Sequence, residues 1–238
     1  SPENIILEIK DCIKNYKITN FVFWADIFNQ DKEWVVDLCQ KIIKEKLKIT
    51  WSANTRVDTT DQSLLNLMYK AGCRLVSVGV ESGSQFILDK IEKKTTIFEI
   101  RDCFKMIRRA KMKSYAYFVI GLPWDDESTI KQSIDLAIEL NPDFVSFYTA
   151  VPLPGTKFYN YAKNYNMFDE HYSYKGAYYY PIIKTHCLSR EKVMELHKLA
   201  VRKFYLRPEY ILKMLTQIRS FAELKNYFRA GMSLLFKG

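Results

Sequence analysis

Phe118-Val119-Ile120-Gly121-Leu122-Pro123-Trp124-Asp125-Asp126-Glu127 and, upstream of it, Val78-Gly79-Val80-Glu81-Ser82-Gly83-Ser84 decide how this chain folds. Each is an apolar strand that breaks into a tight, polar, glycine-bearing turn ahead of a helix. That is how α/β barrels place chemistry at their strand ends. Two such turns, about forty residues apart, imply a repeating strand-helix unit with a ligand above it.

The unit extends in both directions. Upstream, Ser1-Pro2-Glu3 opens a helix on Ile5, Ile6, Ile9, Cys12 and Ile13. Phe21 to Trp24 is a short strand running into Ala25-Asp26-Ile27-Phe28-Asn29, and Trp34, Val35, Leu38, Ile42 and Ile43 mark the next helix. Lys48 to Ala53 is a strand with the polar exit Asn54-Thr55-Arg56-Val57-Asp58, followed by a helix through Leu64, Leu65 and Met68. Strands are predicted at Arg74 to Val80, Ser114 to Ile120 and Phe144 to Tyr148, and helices at Gln85 to Ile91, Thr96 to Lys111 and Glu127 to Leu140.

Strict alternation over about 150 residues requires a parallel sheet and favours a partial (β/α) TIM-type barrel over a Rossmann fold. No Gly-x-Gly-x-x-Gly follows a strand, which weakens a dinucleotide site. Past Asn164 the pattern dissolves into the tyrosine-rich Tyr172 to Tyr180 segment, then returns as helices from Ser189 to Leu206 and Glu209 to Thr216. The domain reading is a barrel over residues 1–163 and an aromatic, helical C-terminal extension over 164–238.

Composition fits a globular enzyme: 48% hydrophobic and 26% charged residues, with only 8 Gly and 7 Pro, exclude a low-complexity or disordered chain. The net charge of +9 is spread along helices, with a concentration from Lys184 to Lys237, and reads as solvated faces or, alternatively, as a surface for an acidic neighbour. No RNA-binding signature accompanies the basic, aromatic tail, so nucleic acid is not an expected partner. No stretch reaches the roughly 18 apolar residues of a membrane span, and Ser1-Pro2-Glu3-Asn4 resembles no signal peptide, which suggests a cytoplasmic protein. Cys12, Cys39, Cys73, Cys103 and Cys187 lie too far apart for a zinc or disulfide framework and read as buried thiols in a reducing compartment. His171, His186 and His197 have no metal-ligand spacing, so no metal site is expected among them.

The strand-end turns Gly79-Val80-Glu81-Ser82-Gly83-Ser84, Gly121-Leu122-Pro123 and Pro152-Leu153-Pro154-Gly155-Thr156 together resemble the radical S-adenosylmethionine (SAM) superfamily. Asp26-Ile27-Phe28 and Phe204-Tyr205-Leu206-Arg207-Pro208-Glu209-Tyr210-Ile211-Leu212 look like its branch that often carries an N-terminal cobalamin-binding domain. The resemblance implies an enzyme that uses SAM and a 4Fe-4S cluster, with cobalamin possible. It also implies a small-molecule substrate and a reductant such as flavodoxin or ferredoxin. In that family the reduced cluster cleaves SAM to a 5'-deoxyadenosyl radical, and cobalamin-dependent members often methylate or rearrange their substrates.

The family's Cys-x3-Cys-x2-Cys cluster loop is not in this sequence. The simplest reading is a fragment that begins after that loop, with its first strand and any cobalamin domain upstream. By resemblance, Glu81 contacts the SAM ribose or amino acid moiety, Ser82 belongs to the same turn, and Asp26 sits where the family binds the SAM amino group. Ser52 and Asn54 share one strand face, with Arg56 beyond them at the exit, as hydrogen-bond partners for methionine or ribose. Tyr117, Ile120, Gly121 and Leu122 are expected beside adenine.

Other readings remain for several residues: Glu81 in a salt bridge to Arg56 or Lys94, Asn54 making a turn, Asp26 or Arg56 capping a helix, and Gly121 serving only its turn. Tyr148 and Thr149 are weaker candidates at the barrel mouth. Two other functions remain open, a non-catalytic SAM-binding or protein-interaction barrel and an ordinary barrel enzyme using phosphate or metal. Pro152 and Pro154 remove amide donors that a phosphate nest would need.

Overall fold

The computed structural model describes residues 1–168 and 172–217. In chain order its elements are α1 (Pro2–Tyr16), β1 (Asn20–Phe23), α2 (Lys32–Lys44), β2 (Thr50–Thr55), α3 (Gln62–Lys70), β3 (Cys73–Glu81), α4 (Gln85–Lys90) and α5 (Ile97–Arg109). They continue with β4 (Lys113–Ile120), α6 (Glu127–Leu140), β5 (Phe144–Thr149), α7 (Lys157–Asn164), α8 (Arg190–Tyr205) and α9 (Pro208–Gln217). The five strands form one sheet in the order β1-β2-β3-β4-β5, and β1/β2 and β2/β3 pair in parallel. Sequential order with a helix after each strand is the βα repeat that the alternating pattern requires.

The chain divides into two compact units, each discontinuous in sequence: Ser1–Val80 with Lys94–Tyr117 and Leu140–Phe144, and Glu81–Lys93 with Phe118–Glu139 and the residues from Val145 onward. In the first unit the helices bury one stripe each: Val35, Leu38, Cys39 and Ile42 on α2, Leu64, Leu65 and Met68 on α3, and Ile100, Cys103, Phe104 and Ile107 on α5. Every fully buried Leu or Ile on these stripes contributes about 1.5–3 kcal/mol. Asp31 and Asp61 cap α2 and α3 through the Trp34 and Leu64 amides, and Thr96 and Glu99 form a reciprocal capping box on α5. Trp51 of β2 is the centre of an aromatic group with Phe23 and Phe28, and its indole N–H donates to the Ala71 carbonyl at 2.9 Å. Alternation on β2 leaves Trp51, Ala53 and Thr55 buried and Ser52 and Asn54 half-buried on the opposite face.

The second unit explains why the sheet stops at β5. The Tyr205 hydroxyl of α8 accepts from the Val145 amide at 3.1 Å and donates to the Val145 carbonyl at 2.6 Å. Two residues along, His197 donates Nε2–H to the Phe147 carbonyl at 2.7 Å; two further, the Thr149 amide donates to the Tyr178 carbonyl at 2.9 Å. The next residue, Ala150, turns the other way and donates its amide to the Ile120 carbonyl of β4 at 2.9 Å. Side chains of α8 and a segment of the tail therefore occupy the outer edge of β5, where another strand would otherwise add. Burial lowers the pKa of His197, keeping it neutral. Arg207 ties the end of α8 to α6, donating to the Phe204 and Ile138 carbonyls at 2.9 and 3.1 Å.

Two features depart from the sequence reading. Residues 157–164 form α7, which that reading passed over. Of the five cysteines read as buried, Cys187 is exposed and Cys12 only half-buried, whereas Cys39, Cys73 and Cys103 are buried. Cys187 follows His186 in the bend before α8, outside any apolar stripe.

Replacing Tyr205 by Phe strands both polar groups of Val145. The variant is expected to lose about 1–3 kcal/mol in urea unfolding and the Val145 amide to exchange faster. Parental stability with Val145 still protected would contradict this closure of the edge.

Candidate functional site

At the exits of β1 and β2, in the first unit, Asn29 is almost fully buried and joins two loops. Its side-chain amide donates to the Thr59 carbonyl and Thr60 hydroxyl at 3.0 and 3.1 Å, and its oxygen accepts from the Arg56 amide at 3.3 Å. Asn54 donates to the Ala25 carbonyl at 3.3 Å, beside the exposed Asp26. Arg56 forms a two-pronged pair with Asp58 at 2.9 and 2.8 Å. Neither Asp26 nor Arg56 caps a helix; Asp31 caps the helix after β1. Ser52 and Asn54 present half-buried polar groups on one strand face, while Tyr117 is half-buried with its ring 4.7 Å from that of Tyr115 and tilted 40° to it.

The turn after β3, in the second unit, is the most constrained of the strand exits. Glu81 ends the strand at φ 67, a conformation costing a non-glycine residue about 1–3 kcal/mol. It persists because Ser82, Gly83 and Ser84 are pinned immediately after it. The Gly83 amide donates to Ser133 Oγ at 2.8 Å, the Ser84 amide to Ser82 Oγ at 3.1 Å, and the two serine hydroxyls of Ser82 and Ser133 lie 3.2 Å apart. A Cβ on Gly83 would lie 2.3 Å from the Gln132 carbonyl oxygen, so only glycine lets the turn press this closely on α6. Ser82 is fully buried with its hydroxyl engaged in this support. The Glu81 carboxylate instead reaches Lys93, neither Arg56 nor Lys94, at 2.8 Å. The two side chains are 25% and 17% exposed, shielded enough to hold their pairing yet open on one side.

At the exit of β4, Asp125 accepts from the amides of Gly121 and Leu122 at 3.0 Å each and from the Thr129 hydroxyl at 2.8 Å. Burial dominates over these bonds and pushes its pKa up to about 6. Gly121 has φ +84, and a Cβ there would meet Val193 of α8 at 2.7 Å. Ile120 is fully buried, and Leu122 borders a cavity of about 510 Å³. Val119 and Leu122 contribute to that cavity from the β4 side, Tyr148, Thr149, Ala150 and Val151 from the end of β5, Phe158 from α7, and Tyr178 and Tyr179 from the tail.

Of the residues put forward from sequence, the first unit brings Asp26, Ser52, Asn54 and Arg56 to adjoining strand exits and holds Tyr117 on β4. The second contains Glu81, Ser82, Ile120, Gly121 and Leu122. Sequence reasoning did not single out Asn29, Lys93, Asp125 or Ser133. Asp125-Asp126 with Thr129, an acidic start to α6, was the available signal for one of them; the others declare themselves only through long-range hydrogen bonds.

Residues 1–137 match the Radical SAM superfamily. The chain belongs to this superfamily. It is 30% identical over 213 residues to an uncharacterized methyltransferase of Pyrococcus horikoshii, covering 90% of this chain and 46% of that protein. It is 25% identical over 214 residues to the anaerobic magnesium-protoporphyrin IX monomethyl ester cyclase of Rubrivivax gelatinosus, covering 88% and 38%. The chain thus spans less than half the length of these two curated relatives. The radical SAM methyltransferase TsrM of Kitasatospora setae, solved with cobalamin and a 4Fe-4S cluster bound, superposes with a TM-score of 0.59 at 16% identity, over 64% of this chain and 29% of that one. The fold is accordingly the α/β, partial TIM-type barrel of radical SAM enzymes, with helices at its C-terminal side.

Radical SAM enzymes use SAM and a 4Fe-4S cluster. The described residues do not fit the cluster. Burial pushes the thiols of Cys39, Cys73 and Cys103 up to about 12, so they are not thiolates, and no group of three His, Cys, Asp or Glu among the described residues could hold a metal. His186 bonds the Tyr161 hydroxyl and His197 a backbone carbonyl, while His171 lies outside the described residues. Among the described residues no helix is long and apolar enough to cross a membrane.

Because the Asp125 pKa is raised in the folded chain, protonation favours the fold. Its stabilisation is full below about pH 4 and is lost as pH rises through about 6, a change of roughly 3 kcal/mol. Asp125→Asn, which keeps an acceptor oxygen, is expected to remove that part of the pH dependence when urea midpoints are compared between pH 4 and 7. An unchanged pH profile in the variant would contradict the assignment.

Proposed function

We propose that this chain is the SAM-binding portion of a radical SAM enzyme that methylates or rearranges a small-molecule substrate. The observation that carries this reading is Glu81: a carboxylate closing an apolar strand in the left-handed region, braced from behind by Gly83 and Ser133 and answered by one lysine. Strain of this kind is retained where function requires it. Loss of the Lys93 bond on ligand entry would free Oε1 of the carboxylate for a ribose hydroxyl.

SAM itself supplies radical chemistry on the substrate once it is reduced. In this reading Glu81 accepts from the ribose. Ser52 and Asn54 offer hydroxyl and amide partners to its polar groups, and exposed Asp26 draws its ammonium. Arg56, committed to Asp58, and Ser82, committed to Ser133, orient these exits through the backbone. Tyr117 gives adenine a ring to rest on. Ile120, Gly121 and Leu122 shape that side of the turn without donating, because the amides of Gly121 and Leu122 already go to Asp125. The reading includes residues 1–163 as the barrel portion and 164–238 as its extension, in a cytoplasmic protein. It also includes a flavodoxin- or ferredoxin-type reductant, and cluster ligands and any cobalamin domain elsewhere in the parent protein.

The test is anaerobic reconstitution of the complete protein with iron and sulfide. Formation of 5'-deoxyadenosine is expected, and Glu81→Gln should weaken S-adenosylhomocysteine binding at least tenfold by calorimetry. Undiminished affinity in Glu81→Gln would remove this carboxylate from the site, and absence of 5'-deoxyadenosine from the parent would contradict the activity.

A further inference from the structure

The end of the first unit opposite its strand exits carries a charge that the candidate site does not use. Segments 17–19, 45–49, 71–74, 110–113 and 141–143 lead into β1 to β5 at this end. Backbone bonds hold them side by side: the Thr50 amide donates to the Thr19 carbonyl at 2.9 Å, the Trp51 amide to the Gly72 carbonyl at 3.1 Å and the Asp143 amide to the Ser114 carbonyl at 3.0 Å. They present Lys17, Lys46, Lys48, Arg74, Lys111 and Lys113, all exposed, against the two carboxylates of Glu45 and Asp143. Glu45 is paired with Lys10 at 3.0 Å, and Asp143 accepts from the Ser114 amide at 2.9 Å. Among the described residues the ammonium groups of Lys46, Lys48 and Lys111 make no hydrogen bond or ion pair.

Helix ends explain part of this charge. α1, α2, α3 and α5 all finish here with a basic last turn, which answers their C-terminal dipoles. That attraction fades within a turn and does not account for Lys48, Arg74 and Lys113, which stand at the strand starts. With the basic last turns they make a face of one sign, and such a face attracts a polyanion.

Apolar side chains are set among these lysines. Tyr16 and Ile18, on either side of Lys17, are 69% and 45% exposed, and Ile43, just before Lys44, is 41% exposed. The amides of Lys17 and Ile18 close α1 on the Ile13 and Cys12 carbonyls at 3.2 and 3.3 Å, so Tyr16 and Ile18 stand on a fixed helix end. Lysines around an exposed tyrosine and isoleucine suit anionic lipid, where ammonium groups sit at the phosphates and rings at the headgroup level. Nucleic acid suits them less, because it is gripped through arginine forks and stacked rings. The single arginine among the six spends Nη1 on the Tyr69 and Cys73 carbonyls, at 2.8 Å each. A second copy of the same face would be repelled by like charge.

We propose that this end of the first unit docks the protein on an anionic lipid surface, with the lysines at the lipid phosphates and Tyr16 and Ile18 in the headgroup layer. The proposal goes beyond the SAM reading and does not depend on it. Docking in this way leaves the strand exits turned away from the lipid.

The test sediments the complete protein with vesicles of phosphatidylcholine alone and of an equimolar mixture of phosphatidylcholine and phosphatidylglycerol. Binding to the mixed vesicles alone is expected, weakening as salt rises past about 0.15 M. Lys46→Glu, Lys48→Glu and Lys111→Glu combined should weaken it at least about tenfold, since each lysine near such a surface is worth about fivefold. The corresponding triple glutamine variant should lie between, and Tyr16→Ser should weaken binding by a smaller factor. These side chains are all exposed, so parental circular dichroism is expected throughout. Equal binding to both vesicles, no binding to either, or parental binding in the triple glutamate variant or in Tyr16→Ser would each overturn the proposal. So would a short RNA duplex that the parent binds as tightly as the mixed vesicles and the triple glutamate variant does not, which would make this a nucleic-acid surface.

Discussion

The hydrogen bond from the Gly83 amide to Ser133 Oγ, 2.8 Å long, holds the turn on which the functional reading depends. It anchors a backbone that has just passed through positive φ at Glu81 and thereby fixes where that carboxylate leaves the strand. Ser133 is itself buried and bonded back to the Thr129 carbonyl, and Thr129 in turn donates to Asp125. One short network in α6 thus supports the exits of both β3 and β4. Buried polar networks are costly when incomplete and rigidifying when complete; here the hydroxyls and the carboxylate in the chain all have partners.

The tail has a related task at β5. A parallel sheet that does not close leaves an edge, and a bare edge invites another strand. Tyr205 and His197 of α8 satisfy that edge with side chains, and the segment around Tyr178 does so with its backbone. The same segment that ends the sheet also brings Tyr178 and Tyr179 to the cavity beside β5.

The repeating fold was legible because its helices carry clean apolar stripes and its strands alternate or run apolar, patterns that burial alone enforces. α7 was not: of its residues only Ala162 is buried, so Lys157 to Asn164 reads as a polar, tyrosine-rich stretch. The Glu81 turn stood out from its residues, but its ion-pair partner did not. Lys93 is twelve positions away beyond a helix, and Arg56 and Lys94 were equally reasonable on charge. Ser82 and Gly121 were legible as turn residues, while the targets of their hydroxyl and amide, Ser133 and Asp125, are set by tertiary packing. Cys187 shows the limit of a blanket reading of thiols, since it lies in a bend rather than on a stripe.

The most direct measurement is an anaerobic crystal structure of the complete, reconstituted protein with SAM bound. The account predicts the Glu81 carboxylate within hydrogen-bonding distance of the ribose hydroxyls, the Gly83 and Ser133 contact unchanged, and φ at Glu81 still positive. SAM bound with Glu81 still engaged only by Lys93 would contradict it.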